Sequence, residues 1–336
     1  MAAKINLLVN LPAGFYRAPA LRPVFARLAR MARVRKRSHD TADQIRPDLT
    51  WADAVLMWSW PALTDDLLDA ASRLRFAGQL DVSQAAARIA LGRGLAVSTA
   101  RGAWSPAVAE MALALALATL RKVSDYHAAM RRGAEKWVRV FPTDIDPEER
   151  QLTGRPVGII GFGAVGRRLA ELLAPFACRP LRVYDPFVSA DVAARYGARP
   201  ARLRDLVRGS DVVVLCAASN AGTRHLLARR EIAALRRGAV LVNVARAALV
   251  DTAALVARLR RGDLYAAIDV FDAEPLPRSS PLRRLPNAYL TPHRAGGVME
   301  SVVRIVGWLA DDLENHLARR PLRYPLTAAM LPALDR

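Results

Sequence analysis

Regular alternation of short apolar runs with helical patterns dominates the chain from residue 155 onward. The first run, 156–162, is continuously apolar and bounded by glycines, as expected for a strand buried on both faces of a sheet. Residues 164–176 follow with leucines at helical spacing, and the alternation repeats as far as residue 290. This order predicts a parallel sheet with right-handed crossovers and helices on both faces.

The first hundred residues show a looser version of the same alternation, which predicts a second, smaller α/β domain. Its candidate strands are 5–10, 51–58, 74–80 and 95–99, and its candidate helices are 19–32, 64–73 and 83–94. A helix over 106–121, capped by Ser105 and opened by Pro106, would connect the two domains. The last helix, about 299–319, has no partner in its own half, so we expect it to pack back on the first domain.

Length and composition fit a protein with two buried cores. The chain has 336 residues, of which 52% are hydrophobic. Cys178 and Cys216 are too few for a disulfide framework or a metal cluster, and we interpret both as small buried apolar residues. Free cysteines, and a start that resembles a strand more than an export signal, predict a cytoplasmic protein with no metal site.

Charge and hydropathy bear on the partners that the chain can have. The net charge of +19 raises the possibility of a nucleic-acid partner. However, arginines occur in every segment, and the densest cluster, 33–39, has no interleaved aromatic residues to stack on bases. Nucleic acid is therefore the less favoured partner, and a basic surface also attracts small anionic substrates. The most apolar stretch, 111–120, is too short to span a bilayer, which predicts a buried helix and no membrane partner.

Three glycines after the first apolar run form the motif Gly161-x-Gly163-x-x-Gly166. The motif lies between a strand and a helix, which is the context that dinucleotide binding requires. Gly161 permits a tight turn, Gly163 lets a pyrophosphate approach the backbone, and Gly166 lets helix and strand pack closely. The phosphates would then lie at the positive end of the helix. A glycine turn without a nucleotide is the less favoured alternative.

Asp185 ends the next strand, nineteen residues after Gly166. An acidic residue at this distance accepts hydrogen bonds from the ribose hydroxyls of adenosine. Its carboxylate repels a 2′-phosphate, so the sequence favours NAD over NADP. Arg167 and Arg168 leave NADP open, because a nearby arginine can bind the extra phosphate.

Three polar residues follow later apolar strands: Arg246, Glu274 and His293. Ligands bind at the carboxyl ends of strands in an open parallel sheet, so we expect all three to face one crevice. Arginine offers a forked donor for a carboxylate, and a carboxylate beside histidine holds its ring and favours the charged form. Such a set beside a nicotinamide suits hydride transfer to or from a carbon next to a carboxylate. The simpler alternatives are a surface ion pair, a turn acid and a loop histidine, respectively.

Several longer stretches complete a resemblance to a known family. They are "SPAVAEMALALALATLRK" (105–122), "GRPVGIIGFGAVGRRLA", "VYDP", "GTRHLL", "GAVLVNVARAALVD", "AAIDVFDAEPLP" and "NAYLTPHRAG". In order and spacing over about 105–300, they resemble the D-isomer-specific 2-hydroxyacid dehydrogenase family, which includes glycerate, phosphoglycerate and formate dehydrogenases. The first hundred residues match this family only in pattern.

The resemblance implies an architecture and residue roles. We expect a Rossmann-type, doubly wound NAD-binding domain at 101–294 and a smaller flavodoxin-like α/β substrate-binding domain formed by 1–100 and 295–336. By resemblance, His293 carries the proton, Glu274 is its partner, and Arg246 binds the substrate carboxylate. Asp269 would hold the nicotinamide carboxamide, and the backbone at Ala164, Val165, Val244 and Ala245 would line the dinucleotide. The family further implies a homodimer formed through the 105–122 helix and its neighbouring loop.

Departures from the family pattern bear on the substrate. Ala247 stands where glycine is usual after the arginine, and residues 218–221 replace a Pro-Leu-Thr-Pro loop. Residues 79–83 replace a glycine-rich loop whose backbone would bind the substrate carboxylate. Arg294 replaces an apolar residue and either binds an extra anionic group or faces solvent. Trp58 and Trp60 either line a substrate pocket or pack in the core, and core packing is favoured.

Two functions remain after these observations. The favoured one is an NAD-dependent oxidoreductase that interconverts a small anionic 2-keto acid and a D-2-hydroxy acid, with a His–Glu proton relay and an arginine anchor. The alternative is a non-catalytic NAD(H)-sensing binding protein, or corepressor, on the same fold. Turnover of a keto acid distinguishes the two.

Overall fold

The computed structural model describes residues 4–80 and 82–334. The chain forms two compact units, Met1–Trp104 with Val298–Arg336, and Ser105–Gly297. Each unit is built on a parallel sheet flanked by helices, which confirms the predicted α/β class with two domains. The sequence predicts domain boundaries after residues 100 and 294, whereas the two units divide after Trp104 and Gly297.

The first unit contains a parallel sheet whose strands, within the described ranges, are β1 (Ile5–Asn10), β2 (Ala32–Arg37), β3 (Ala54–Met57), β4 (Phe76–Gln79) and β5 (Ala96–Thr99). Their order across the sheet is β2-β1-β3-β4-β5. The α-helices of its first segment are α1 (Ala13–Arg17), α2 (Arg22–Met31), α3 (Ala42–Trp51), α4 (Asp65–Ala70) and α5 (Gln84–Gly92). This crossover order leaves β2 at one edge of the sheet.

The second unit contains a longer parallel sheet with the strands β6 (Val157–Ile160), β7 (Leu181–Tyr184), β8 (Arg199–Pro200), β9 (Val212–Leu215), β10 (Ala239–Asn243), β11 (Leu264–Ile268) and β12 (Ala288–Leu290). They lie in the order β12-β11-β10-β9-β6-β7-β8. Its α-helices are α6 (Ser105–Leu120), α7 (Val123–Arg132), α8 (Ala164–Leu173), α9 (Ala190–Ala194), α10 (Leu203–Gly209), α11 (Arg229–Ala234) and α12 (Thr252–Leu259). Strand order reverses beside β6, so the glycine turn after β6 lies where doubly wound sheets bind ligands.

Apolar strands explain why both faces of this second sheet are covered. The side chains of β6, β9 and β10 are buried along their whole length, as continuous apolar runs require. One face packs against a cluster that includes residues of α6 and α8, and the other against a cluster that includes residues of α10, α11 and α12. The strand carboxyl ends are thereby held at one edge for the site residues.

Helix α13 (Met299–Leu317) belongs to the first unit. Its apolar side chains, including Ile305, Leu309 and Leu313, pack in the same cluster as Val9 and Leu56 of the first sheet. Asp312 on this helix is fully buried and accepts hydrogen bonds from Ser98 Oγ at 2.6 Å and from the backbone N–H groups of Arg323 and Tyr324 at 2.6 and 2.9 Å. A satisfied buried carboxylate therefore fixes the helix to β5 and to the chain that follows it.

Helix α6 differs in part from its prediction. The helical stretch Arg101–Leu120 has a mean hydropathy of 1.5 and is long and apolar enough to cross a membrane by length and composition alone. Residues such as Ala109 and Leu120 are buried, and 44% of an 18-residue window of this stretch is buried inside the protein. The helix is therefore partly buried: one side covers α8 and β10, and most other side chains are half-buried, with Glu110 and Ala114 exposed.

Candidate active site

The glycine motif adopts the geometry that its spacing predicts. Gly161 has a φ of 90°, and a Cβ there would collide with the backbone of Ala217 and Cys216. A Cβ on Gly166 would collide with the carbonyl oxygen of Gly161, so helix α8 packs directly on the turn. Both positions exclude any residue with a side chain, for the steric reasons that the motif implies.

Gly163 has a different environment, which fits a bound dinucleotide. A Cβ built on this residue meets nothing within 4 Å, so the space beside its backbone is open. Gly163 is the N-cap of α8, no side chain caps the helix there, and Ala164 and Val165 form its first turn. Open space in front of an uncapped helix start gives room and positive potential for a pyrophosphate.

Asp185 lies beside the glycine turn. Its Oδ2 accepts a hydrogen bond from Phe162 N at 2.7 Å, and its Oδ1 accepts one from Phe187 N at 3.0 Å. Arg167 donates from Nε to Phe162 O at 3.0 Å, and Arg168 forms an ion pair with Glu171 at 2.9 Å. The carboxylate is thus held at the turn, while both arginines are engaged within α8 and its N-terminal loop.

His293 and Glu274 form a direct pair. The distance between His293 Nδ1 and Glu274 Oε2 is 2.6 Å, and Glu274 Oε1 accepts a hydrogen bond from Phe271 N at 2.9 Å. Burial alone would raise the pKa of Glu274, but its hydrogen bonds with His293 and Phe271 and the nearby charge of Arg246 hold the pKa below its usual range. The glutamate therefore stays ionised at neutral pH and orients the ring, which leaves Nε2 for a substrate.

Arg246 follows β10 on a turn shaped by a buried asparagine. Asn243 accepts a hydrogen bond from Ala245 N at 3.1 Å and donates one to Arg246 O at 3.0 Å. The guanidinium donates to Ala245 O at 2.8 Å. Arg246 has an extended backbone, and the φ of Ala247 after it is not positive. Alanine at 247 therefore brings no backbone strain, and Asn243 is a positioning residue that the sequence did not identify.

Asp269 organises the loop that carries His293. Its side chain is fully buried and accepts hydrogen bonds from Thr291 Oγ1 at 2.5 Å and from the backbone N–H groups of Arg294 and Ala295 at 2.8 Å each. The backbone N–H of His293 donates to Asp269 O at 2.8 Å. The sequence indicated only a cofactor contact for Asp269; nothing in the spacing of 269 and 291–295 revealed this loop-forming role.

The remaining predicted positions have clear structural settings. Val244 is buried, and Arg294 is exposed with its guanidinium donating to Gly297 O at 3.0 Å. The 218–221 loop, which lacks the prolines usual in the family, contains a capping box between Asn220 and Thr223. Both thiols are free, and burial raises the pKa of Cys178 to about 11 and that of Cys216 to about 12, so neither is a thiolate at neutral pH.

The residues of the first unit that the sequence links to substrate choice lie at or after the ends of β3 and β4. Trp58 packs edge-on against Phe15 and Trp104, with ring centroids 5.3 and 6.0 Å apart. Trp60 is buried in an apolar cluster. Gln79 is fully buried, and no partner for its amide exists within the described chain. Asp81, the middle residue of the 79–83 loop, lies outside the described residues.

Comparisons with known proteins show which family the chain resembles. Residues 113–295 match the family model for the NAD binding domain of D-isomer specific 2-hydroxyacid dehydrogenase. The chain is 34% identical over 272 residues to the glyoxylate reductase of Aeropyrum pernix, covering 78% of this chain and 79% of that one. It is 30% identical over 265 residues to the D-3-phosphoglycerate dehydrogenase of Methanocaldococcus jannaschii, covering 78% of this chain and 49% of that one. The chain thus spans about half the length of the phosphoglycerate dehydrogenases that it matches.

One solved structure has a similar fold over nearly the whole chain. The phosphoglycerate oxidoreductase from Rhizobium etli has a TM-score of 0.80 and 26% identity, covering 96% of this chain and 98% of that one. Similarity therefore extends through both units, including the first hundred residues, where the sequence pattern is weakest.

Proposed function

The chain belongs to the D-isomer specific 2-hydroxyacid dehydrogenase family, and from this premise we propose that it is an oxidoreductase that interconverts a 2-keto acid and a D-2-hydroxy acid. The observation that carries the proposal is the 2.6 Å pair of His293 and Glu274, together with the charge of Arg246 acting on Glu274. A proton carrier, its carboxylate partner and a guanidinium supply the groups that this reaction needs from the protein.

Each of these groups has one role in the proposed reaction. Bound at the glycine turn, a nicotinamide dinucleotide supplies or accepts the hydride. Arg246 binds the carboxylate of the substrate through its forked donors and polarises the adjacent carbonyl. In the reductive direction, His293 donates its Nε2 proton to the oxygen that becomes the hydroxyl, and in the oxidative direction it removes that proton. Glu274 keeps the ring oriented and stabilises its charged form.

The cofactor that we propose is NAD. Asp185 would accept hydrogen bonds from the adenosine ribose, and its charge would repel a 2′-phosphate. Arg167 and Arg168, which could otherwise bind that phosphate, are engaged by Phe162 O and Glu171. From the resemblance to the family, we further propose that Asp269 holds the nicotinamide carboxamide and that the backbone of Val244 and Ala245 lines the dinucleotide.

The active form that we propose is a homodimer. The sequence resemblance implies a dimer through the 105–122 helix and its neighbouring loop. The surface that we propose, the α7 surface, follows that helix and consists of the exposed apolar side chains of α7 and residues 137–145. Phe141 is 79% exposed and Trp137 61% exposed. A concentration of exposed apolar side chains on a folded protein often marks an interface, and a second copy of the chain is the occupant that the family resemblance implies.

A panel of 2-keto acids assayed in parallel with NADH and NADPH tests the function. We expect oxidation of NADH by at least one small keto acid, with a larger kcat/KM than for NADPH. Saturable NADH binding without turnover of any panel member would instead support the sensing alternative. Preference for NADPH would contradict the role given to Asp185 while leaving the reaction class intact.

A further inference from the structure

A small pocket lies between α10 and α11, away from the residues of the proposed active site. It has a volume of about 80 Å³, and its lining consists of Arg204, Val207, Arg208, Arg230, Glu231 and Ala234. Three of these six residues are arginines. Neither the proposed reaction nor the glycine motif uses any of them.

Helix geometry explains why the arginines converge. Arg204 and Arg208 are four residues apart on α10, which places them on one side of the helix. Arg230 and Ala234 have the same spacing on α11, and the two helices pack against each other. Ala234 and the fully buried Val207 complete the lining with small apolar groups.

The pocket carries a positive charge that the protein does not balance. Among the residues that the structure describes, the side chains of Arg204, Arg208 and Arg230 form no hydrogen bond and no ion pair. Elsewhere in the same unit, Arg155 and Arg236 share Asp211, and Arg258 pairs with Asp263 at 2.7 Å. Glu231 adds one carboxylate to the lining, so three positive charges face one negative charge.

The pocket lies between two helices that cover one face of the sheet, and its lining shares no residue with the glycine motif or with Asp185. Helices α10 and α11 each lead into the next strand, so they run from the carboxyl ends of the strands toward the amino ends. Arg204 and Arg230 belong to the first turns of these helices and Arg208 and Ala234 to the last turns, so the pocket runs along both helices. A ligand here would not occupy the dinucleotide site.

We infer that this pocket is a binding site for a tetrahedral oxyanion of the phosphate class. Guanidinium groups bind phosphate oxygens through charge-assisted, paired hydrogen bonds, and an anion would relieve the mutual repulsion of the three arginines. The volume admits several water-sized groups, enough for a phosphoryl group, and is far below the roughly 300 Å³ or more of sites for larger organic ligands. The bound group is therefore inorganic phosphate or the phosphoryl end of a small phosphomonoester.

Calorimetric titration of the full chain, saturated with NADH so that the dinucleotide site is filled, tests this inference. Inorganic phosphate and glycerol 3-phosphate are titrated at constant ionic strength. We expect saturable binding of at least one, and at least about tenfold weaker binding in the double variant Arg204→Ala, Arg230→Ala, because each charge-assisted hydrogen bond contributes to affinity on this scale. Whichever of the two ligands binds more tightly shows whether the site prefers free phosphate or a phosphomonoester.

The matched control is the double variant Arg195→Ala, Arg199→Ala, which removes the same charge from exposed arginines of the same unit. Unchanged affinity in this control supports the pocket. Equal weakening in both double variants would show attraction by net charge and overturn the inference, as would the absence of saturable binding. The unfolding temperature without phosphate is measured for each variant, and because all four residues are exposed we expect it to stay at the wild-type value.

Discussion

His293 has a left-handed backbone, with a φ of 51°, a conformation that costs a residue with a side chain about 1–2 kcal/mol. Such strain persists only where surrounding contacts determine the backbone, and here the buried Asp269 holds Thr291, Arg294 and Ala295 on either side of it. The ring is consequently directed at Glu274 by the loop and by the side-chain pair together.

The substitution His293→Gln tests the role of the ring. We expect kcat for the best keto acid to fall by about 10²–10⁴-fold, because general acid–base catalysis contributes on that scale. NADH binding, followed by fluorescence, should stay unchanged, since no atom of the glycine turn is altered. The matched control is His316→Gln, a half-buried histidine on α13, outside both the proposed active site and the proposed dimer surface, which should keep full activity. Full activity in His293→Gln would remove the residue from the mechanism.

At the scale of elements, the sequence predicts the strands and helices that have a clear apolar pattern and misses those that lack one. The buried strands β6 and β9 are continuous apolar runs, β1 and β10 are mostly apolar, and the sequence predicts all four. Strand β2 is not predicted, because the sequence "ARVRKR" at a sheet edge has little apolar alternation. Helix α3 is also missed, since Pro47 inside it is a helix-breaking signal that its buried Ile45 and Leu49 override.

Some residues of the candidate site can likewise be predicted from the sequence, and others cannot. Arg246, Glu274 and His293 follow apolar strands, so the apolar pattern and the residue types are enough to indicate them. Asn243 and Asp269 act through backbone groups of distant or following loops, and no spacing in the sequence reports such bonds. The amide of Gln79, fully buried without a described partner, breaks the rule that buried polar groups are paired, and sequence reasoning had no basis to expect it.

The basic cluster 33–39 shows why charge runs are hard to interpret from sequence. Asp48 on α3 is buried and accepts hydrogen bonds from Arg35 at 3.1 Å, Arg37 at 2.8 Å and His39 at 2.9 Å. Arg35 also stacks on Trp51, 3.9 Å from the ring centroid. Part of the cluster is therefore committed to holding β2 against α3, which reduces the charge available to a nucleic acid.

Replacing Asp48 by Asn should destabilise the first unit in a pH-dependent way. Burial raises the pKa of Asp48, but bonds with His39, Arg35 and Arg37 lower it more, so the folded value lies below the unfolded one. The carboxylate therefore stabilises the fold fully above the unfolded pKa of about 3.9, and this contribution is lost as the pH falls through the folded value. We expect a loss of about 1–3 kcal/mol at pH 7.

Urea unfolding at pH 7 and pH 3 measures this difference. The gap between wild type and Asp48→Asn should shrink at the lower pH, where the wild-type carboxyl is closer to protonation. Asp40→Asn serves as the control, because Asp40 is exposed and forms no described side-chain bond, and it should change stability little at either pH. A gap that is constant with pH would exclude the carboxylate charge as the cause.

At the scale of the whole molecule, exposed apolar groups are unevenly distributed. Within the described chain, eight of the thirteen exposed large apolar side chains belong to the α7 surface: Val123, Tyr126, Met130, Trp137, Val138, Val140, Phe141 and Ile145. Scattered single apolar residues are normal on a surface, whereas a concentration of this kind needs an explanation. Self-association through this surface is the explanation that we propose.

Sedimentation velocity tests that assembly. The wild-type chain should sediment as a dimer, and the double variant Trp137→Glu, Phe141→Glu as a monomer, because buried unpaired carboxylates in the interface are costly. Phe187→Glu places the same charge on a residue that is 94% exposed and lies outside the α7 surface, so it should leave the dimer intact. A monomeric wild type, or equal dissociation by Phe187→Glu, would contradict the assignment.

The glycine turn, Arg246, Asp269, Glu274 and His293 all belong to the single unit Ser105–Gly297. In evolutionary terms, residues in one continuous segment of chain can be inherited together. Recombination or rapid divergence confined to residues 1–104 would then change the proposed substrate-binding residues and leave the proposed reacting groups in place. Such a history would explain why the 79–83 loop departs from the family pattern in a chain that keeps Arg246, Glu274 and His293.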